Sequence, residues 1–196
     1  RGATWRGNFF TDLAGWDGLV PHRQRGGGGH VVDIEFPNSV MGGHMSVFPN
    51  GTYKKGHRHG PGVVIIIPSG EGFSIMWPEG EEQVVVPWHE ASMFVPPNRW
   101  FHQHFNVSEN PARYLALSPL KQTRPGNENF VPHEDQIEYP DEAPWIRDMF
   151  MAEVAKRGGE SLMPPGAYTN RDFNWEYAAN EEAGAEIFGA HLSEEP

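Results

Sequence analysis

Val63-Val64-Ile65-Ile66-Ile67, Pro68-Ser69-Gly70-Glu71-Gly72, Phe73-Ser74-Ile75-Met76-Trp77 and Pro78-Glu79-Gly80 follow one another without interruption. Five β-branched residues in a row are too few for a stable helix and suit a strand. The Pro/Gly clusters on either side are turn chemistry. The block therefore predicts strand, turn, strand, turn, with Val63–Ile67 buried on both faces. Outward from it the same rhythm recurs. His30–Phe36 alternates in part and breaks at Pro37-Asn38; Met41–Phe48 closes at Pro49-Asn50-Gly51; Tyr53–His59 leads into a Gly-Pro-Gly turn. Further strands are expected at Glu82–Val86, Ser92–Val95, Phe101–Val107 and Arg113–Leu117. So many short strands at regular spacing predict an all-β antiparallel barrel or sandwich.

The flanks read differently. Residues 1–29 are rich in Gly and aromatics, end in Gly26-Gly27-Gly28-Gly29 and form an N-terminal extension. The barrel is assigned to 30–118 and a C-terminal arm to 119–196. Within the arm, residues 119–144 are polar and proline-rich, and about 145–157 reads as a helix. Pro144 sits at its first turn, apolar residues follow at i, i+3/i+4 spacing, and Gly158-Gly159 stops it. The last 30 or so residues are expected to be loosely structured or to pack on a partner subunit.

Composition narrows the function. Gly 23 and Pro 18 make up about a fifth of the 196 residues, in keeping with a turn-rich β fold. A net charge of -11 argues against binding nucleic acid or an anionic membrane nonspecifically. No stretch approaches the roughly 18 apolar residues of a membrane-spanning helix. Arg1-Gly2-Ala3-Thr4-Trp5 lacks the charged-then-apolar layout of a signal peptide, so a cytoplasmic location is the default expectation. With no cysteine there are neither disulfides nor thiolate ligands.

The chemistry is expected of histidines. In a strand, residues i and i+2 share a face. His57 and His59 can therefore aim two imidazoles at one point, with His102 supplying a third from a neighbouring strand. Three neutral imidazoles with open positions left over suit a transition metal that must also bind a substrate or oxygen. The alternative is a solvent-facing basic turn with Lys54, Lys55 and Arg58. His104, two residues past His102, shares its face; it is a core residue, a group beside the site, or the ligand in place of His102. His44 reads as a core or surface histidine. His22, His30, His89, His133 and His191 carry no spacing argument and read as surface.

At these residues the chain resembles the cupin superfamily. The first cupin motif is Gly, five residues, His-x-His, three or four residues, Glu, six residues, Gly. It reads here as Gly51, His57-Arg58-His59, Val63 in the glutamate's place, and Gly70. The second motif is Gly, five residues, Pro-x-Gly, two residues, His, three residues, Asn. It reads as Ala91, Pro97-Asn98-Arg99, His102 and Asn106, with both glycines replaced. The resemblance implies a single cupin (double-stranded β-helix, jelly-roll) barrel and a metal held by His57, His59 and His102. Lacking the glutamate, the chain looks most like the gentisate 1,2-dioxygenase group, which carries similar His-Arg-His and Trp-His-x-His-x-Asn segments. Those enzymes are usually two-cupin chains; one cupin is visible here.

The resemblance thus implies a mononuclear Fe(II) dioxygenase acting with O2 on a small aromatic or 1,3-dioxygenated substrate. The rival is a lyase, isomerase or decarboxylase acting on a hydroxy-acid with Mn, Ni or Zn. The other class is a non-catalytic cupin that holds a metal or small ligand. His104 is the candidate to place a charge or proton beside the reacting oxygen. Arg99 and Arg113 are candidates to anchor a substrate carboxylate, Arg99 otherwise capping a turn. Trp77, Phe48, Phe94 and Trp100 are candidates for an apolar lining, or else plain core. Cupins commonly dimerise through their sheets, so a homodimer or higher homo-oligomer is expected, with the arm and helix crossing onto the second subunit.

Overall fold

The computed structural model describes residues 3–10, 12–14, 18–60, 62–119 and 133–177. Its strands are β1 (Thr4–Arg6), β2 (Val20–Pro21), β3 (His30–Glu35), β4 (Met41–Phe48), β5 (Gly56–His57) and β6 (Val64–Ser69). They continue with β7 (Gly72–Trp77), β8 (Val84–Trp88), β9 (Met93–Phe94), β10 (Phe101–Asn106), β11 (Ala112–Pro119) and β12 (Gln136–Ile137). One helix follows, α1 (Pro144–Lys156). No helix of the described residues is long and apolar enough to cross a membrane.

Two sheets face each other. One runs β1-β3-β4-β11-β6-β9, with β2 also on β3; the other runs β12-β5-β10-β7-β8. All pairs are antiparallel except β1 on β3. From β4 to β12 the chain changes sheet at every step except β7–β8, as in a jelly-roll. Phe48, Val63, Ile65, Ile67, Trp88, Ala112, Tyr114 and Ala116 fill the space between them.

Strand parity distributes the side chains. In β10, Phe101 and Phe105 point outward into a core built with Phe73, Ile75 and Trp77. His102 pairs with Met76 and His104 with Ser74, on the inward face. The outward core is roofed by α1 through Ile146, Phe150 and Val154, and by Met163, Ala167 and Trp175 beyond it. Met163, Ala167 and Trp175 thus pack on the barrel of their own chain, so the described part of the last 30 residues, 167–177, is not a loose tail; 178–196 lie outside the described residues. The other sheet's outer face, with Val32, Ile34, Met45 and Leu115, is covered by Trp5, Phe10, Leu13 and Leu19. Both flanking segments are therefore lids over apolar sheet faces. The uncovered faces would otherwise expose their aromatic and aliphatic side chains to water.

Several sequence readings shift. The strands buried on both faces are β7 and β10, whose outer side the helix covers, and the first five residues of β11. In Val63–Ile67 only alternate residues (Val63, Ile65, Ile67) are buried. The strand expected at Tyr53–His59 shrinks to Gly56–His57, with an isolated bridge from Tyr53 to Phe105. The helix runs from Pro144, the expected first-turn proline, to Lys156, and Arg157 caps it.

Candidate metal centre

β5 and β10 lie side by side with His57 directly opposite His102, so both imidazoles project inward. His59 comes from the loop just past β5 and reaches the same point without strand geometry. The ring centroids are 4.4 Å apart for His57–His102, 5.0 Å for His59–His102 and 5.6 Å for His57–His59. One ring nitrogen from each lies within 4.8 Å of the others, and no Asp or Glu among the described residues joins the group. Val63, in the motif's glutamate position, is buried in the apolar interior.

The backbone orients two of these rings. His57 Nδ1 lies 3.1 Å from the Lys55 carbonyl and His102 Nδ1 3.1 Å from the Trp100 carbonyl. A carbonyl only accepts, so each Nδ1 carries the proton and each Nε2 keeps its lone pair for a metal. Burial, aided by the Arg25 charge, pushes His102 down to about 4. Burial, Arg25 and the neighbouring rings push His57 well below the usual imidazole range. Both rings are thus neutral at neutral pH, the form a metal needs. This nitrogen-only set fits Fe(II), Mn, Ni or Zn and does not select among them.

Charged side chains hold the His57–His59 segment in place. Arg58, between the two ligands, donates from Nε to Asp135 Oδ1 at 2.7 Å and from Nη1 to Glu79 Oε2 at 2.6 Å. Arg99 donates to both Asp135 oxygens, at 2.9 and 3.0 Å. Burial works to raise the Asp135 carboxyl, but these two arginines outweigh it and hold the group below its usual value. Arg58 N–H also donates to the Asp135 carbonyl, and Arg99 N–H to the His59 carbonyl. β12 adds to the clamp by pairing with β5, Gln136 opposite His57. The structure therefore places Arg99 in an ion pair with Asp135 rather than in the barrel interior.

The replaced motif glycines keep the glycine backbone. Gly51 and Gly70 have φ of 61° and 100°, and Ala91 and Arg99 have 65° and 63°. Asn106 is wholly buried; its amide donates to the Phe48, Pro49 and Asn110 carbonyls, and its Oδ1 accepts from Ser108. That is a strand-end staple, not a site contact.

His104 lies inward of the three ligands, its ring 5.6 Å from His102, 5.2 Å from Tyr114 and 6.1 Å from Phe94. Trp88 Nε1 donates to Ser74 Oγ at 3.0 Å, and Ser74 Oγ lies 2.7 Å from His104 Nδ1. Among the described residues His104 Nδ1 is the one acceptor within reach of the Ser74 hydroxyl proton, and with that proton on Nδ1 the imidazole's own proton sits on Nε2. Burial, with His102 and Lys54 nearby, holds His104 neutral.

Of the proposed lining, Phe48 and Phe94 face the interior. Trp77 does not: its cross-strand partner is Phe101, which alternates with His102, and the two rings stack at 5.5 Å in the outward core. Trp100 is half-buried at the entrance to β10. Arg113 alternates with the inward Ala112 and Tyr114, so parity sends it to the outer side of β11. His44 lies on the inward face, 5.8 Å from Tyr114, while His89 is exposed.

Two cations were missed by the sequence reading. Lys54 is completely buried, its Nζ donating to Ser46 Oγ, and burial brings it down to about 7. Arg25, from the N-terminal segment, donates to Gln136 Oε1 at 2.8 Å, and burial brings it down to about 10. Neither has a motif spacing, so nothing in the sequence marked them.

No family model matches the chain, and no curated protein matches it in sequence. Solved structures do. A cupin 2 conserved barrel domain protein from Rhodopseudomonas palustris aligns at TM-score 0.50 and 16% identity, over 64% of this chain and 86% of that one. Oxalate decarboxylase from Lactobacillus farciminis, as a formate complex, gives 0.46 and 17%, over 52% of this chain and 32% of that one. Bacillus subtilis oxalate decarboxylase, which has Mn(II) centres, gives 0.44 and 13%, over 51% and 27%. The chain thus spans about a third or less of the oxalate decarboxylase chains. At these identities the likeness speaks for fold alone. The fold is the cupin barrel, and a three-histidine candidate metal group lies inside it.

Proposed function

We propose that the chain is a mononuclear non-haem Fe(II) dioxygenase that cleaves a C–C bond of a small aromatic (hydroxy-carboxylate or catechol-like) or diketone substrate with O2. The observation that carries this reading is the ligand group itself: three imidazoles, no carboxylate among the described residues, and Val63 where a fourth ligand would stand. Such a set leaves the ion its full positive charge and several open positions. Iron bound there would supply electron relay between a chelated substrate and O2, which is what C–C cleavage by dioxygen requires.

The residues of the chain do the rest. His57, His59 and His102 hold the ion. His104 would present its Nε2 proton to a substrate atom held beside it, in the tautomer set by Ser74 and Trp88. Phe48, Phe94, Val63 and Ile65 exclude water from one side of the interior.

The same Nε2 proton supports a second reading, a decarboxylase, lyase or isomerase acting on a small hydroxy-acid with Mn, Ni or Zn, since such reactions end by protonating a carbanion. Oxygen uptake separates the two. With Fe(II) restored to metal-free protein, a panel of catechols, hydroxybenzoates and 1,3-diketones should include one compound that drives stoichiometric O2 consumption. Turnover of a hydroxy-acid without O2 uptake would favour the second reading. Metal-dependent stabilisation with no turnover would leave a binding module.

A further inference from the structure

The barrel interior is lopsided in charge. Gln136 stands directly opposite His57 in the β12–β5 pair, and directly opposed residues share a face. Arg25 Nη1 hydrogen-bonds the Gln136 side chain, which sets the guanidinium beside His57 on the metal-facing side. Its charge reaches His57, His102, Lys54 and Tyr114. The Lys54 ammonium lies 5.1 Å from the Tyr114 ring centre and 5.4 Å from that of Phe48. Its backbone N–H donates to the carbonyl of His104. The two cations thus flank the space between the three histidines and Tyr114.

Their side-chain partners are neutral: Gln136 for Arg25 and Ser46 for Lys54. Among the described residues no carboxylate forms an ion pair with either. A divalent ion on three neutral imidazoles would add two further positive charges. The wholly buried Lys54, with the partly buried Arg25 on the same side of the interior, is costly to keep charged unless an anion joins them.

We propose that Arg25 and Lys54 form an anion subsite beside the metal centre, which takes a small dianionic ligand whose one end chelates the metal and whose carboxylate end meets the two cations. This rests on the metal-centre reading above and narrows its substrate class to carboxylate-bearing chelators, excluding neutral diketones and plain catechols. The apolar wall with Phe94, Val63 and Ile65 would accommodate the carbon skeleton.

The test uses the full chain loaded with Co(II), whose visible spectrum reports ligands entering its coordination shell. The probes are oxalate, a chelating dianion, and imidazole, a neutral ligand. Arg25→Gln and Lys54→Met should each weaken oxalate binding by roughly tenfold or more. Imidazole affinity should change by less than about twofold, and cobalt content should not change. Arg25→Lys, which keeps the charge, should retain most of the oxalate affinity. Unchanged oxalate affinity in both charge-removing variants would overturn the subsite. So would imidazole affinity falling in step with oxalate, since the damage would then lie in the metal centre. If Arg25→Gln does not fold, Lys54→Met decides by the same two criteria. A wild-type chain that takes up no cobalt sinks the metal-centre reading itself, before any anion is added.

Discussion

His102 and the His57–His59 pair reach the same point by different means. His102 belongs to β10, an inner strand buried on both faces, hydrogen-bonded to β5 and β7 and roofed by α1. His57 ends a two-residue strand, and His59 follows in a loop. That half is held by a carboxylate from far along the chain, Asp135, which grips Arg58 between the two ligands and Arg99, whose N–H donates to the His59 carbonyl. One half of the centre is part of the sheet. The other is a loop made stiff by charge. The difference teaches that the C-terminal segment belongs to the centre in effect, though it contributes no ligand.

The largest effects should come from the ligands. His102→Ala and His57→Ala each leave two imidazoles and should lose the metal outright, read by elemental analysis after dialysis. His104→Ala should keep the metal and, under the dioxygenase reading, lower turnover by roughly 100-fold or more. Metal loss in His104→Ala with retention in His102→Ala would show that the two histidines have exchanged roles.

Next come the supports of the two halves. Phe150 is fully buried against Tyr53 and Phe105, and Phe150→Ala should cost about 3–5 kcal/mol in denaturant unfolding. Asp135→Ala should cost less stability and instead weaken metal affinity by roughly 10–100-fold, as is usual for groups that orient ligands. If Asp135→Ala leaves metal affinity untouched, the loop is rigid without its clamp and the contrast between the halves fails.

A pH series sharpens the electrostatic side. Lys54 is brought down to about 7 in the folded chain, from 10.5 in the unfolded one. As pH falls from about 10 towards 7 the unfolded chain takes up a proton that the folded chain refuses, so stability declines. The metal-free protein should therefore grow more stable from pH 7 to 9, by up to about 1.4 kcal/mol per pH unit. Lys54→Met should flatten that rise. The smallest expected effect is Ala91→Gly. It relieves a left-handed φ of 65° and should stabilise the chain by about 0.5–1 kcal/mol, visible as a raised Tm.

Much of this was legible in the sequence. Turn residues bounded most strands, and the spacing of His57, His59 and His102 named the three residues whose rings converge. Parity was harder. Trp77 carries no sign of which face it takes until its register against Phe101 is known, because a one-residue shift reverses every side chain of a strand. β12 is two residues long with no periodicity to detect, yet it brings Asp135 and Gln136 to the site. Lys54 looked like a surface lysine because burial depends on what packs above it. Arg25 could not be tied to His57 across the intervening chain. Ala91 and Arg99 show the reverse case, positions where the motif's glycine is gone and its backbone conformation remains.

The most direct test of the central claim is metal content per chain, measured by elemental analysis on protein purified without oxygen, beside the His57→Ala and His102→Ala variants. The account predicts about one iron per wild-type chain and essentially none in either variant. Wild type without stoichiometric metal, or variants that retain as much as wild type, would contradict it.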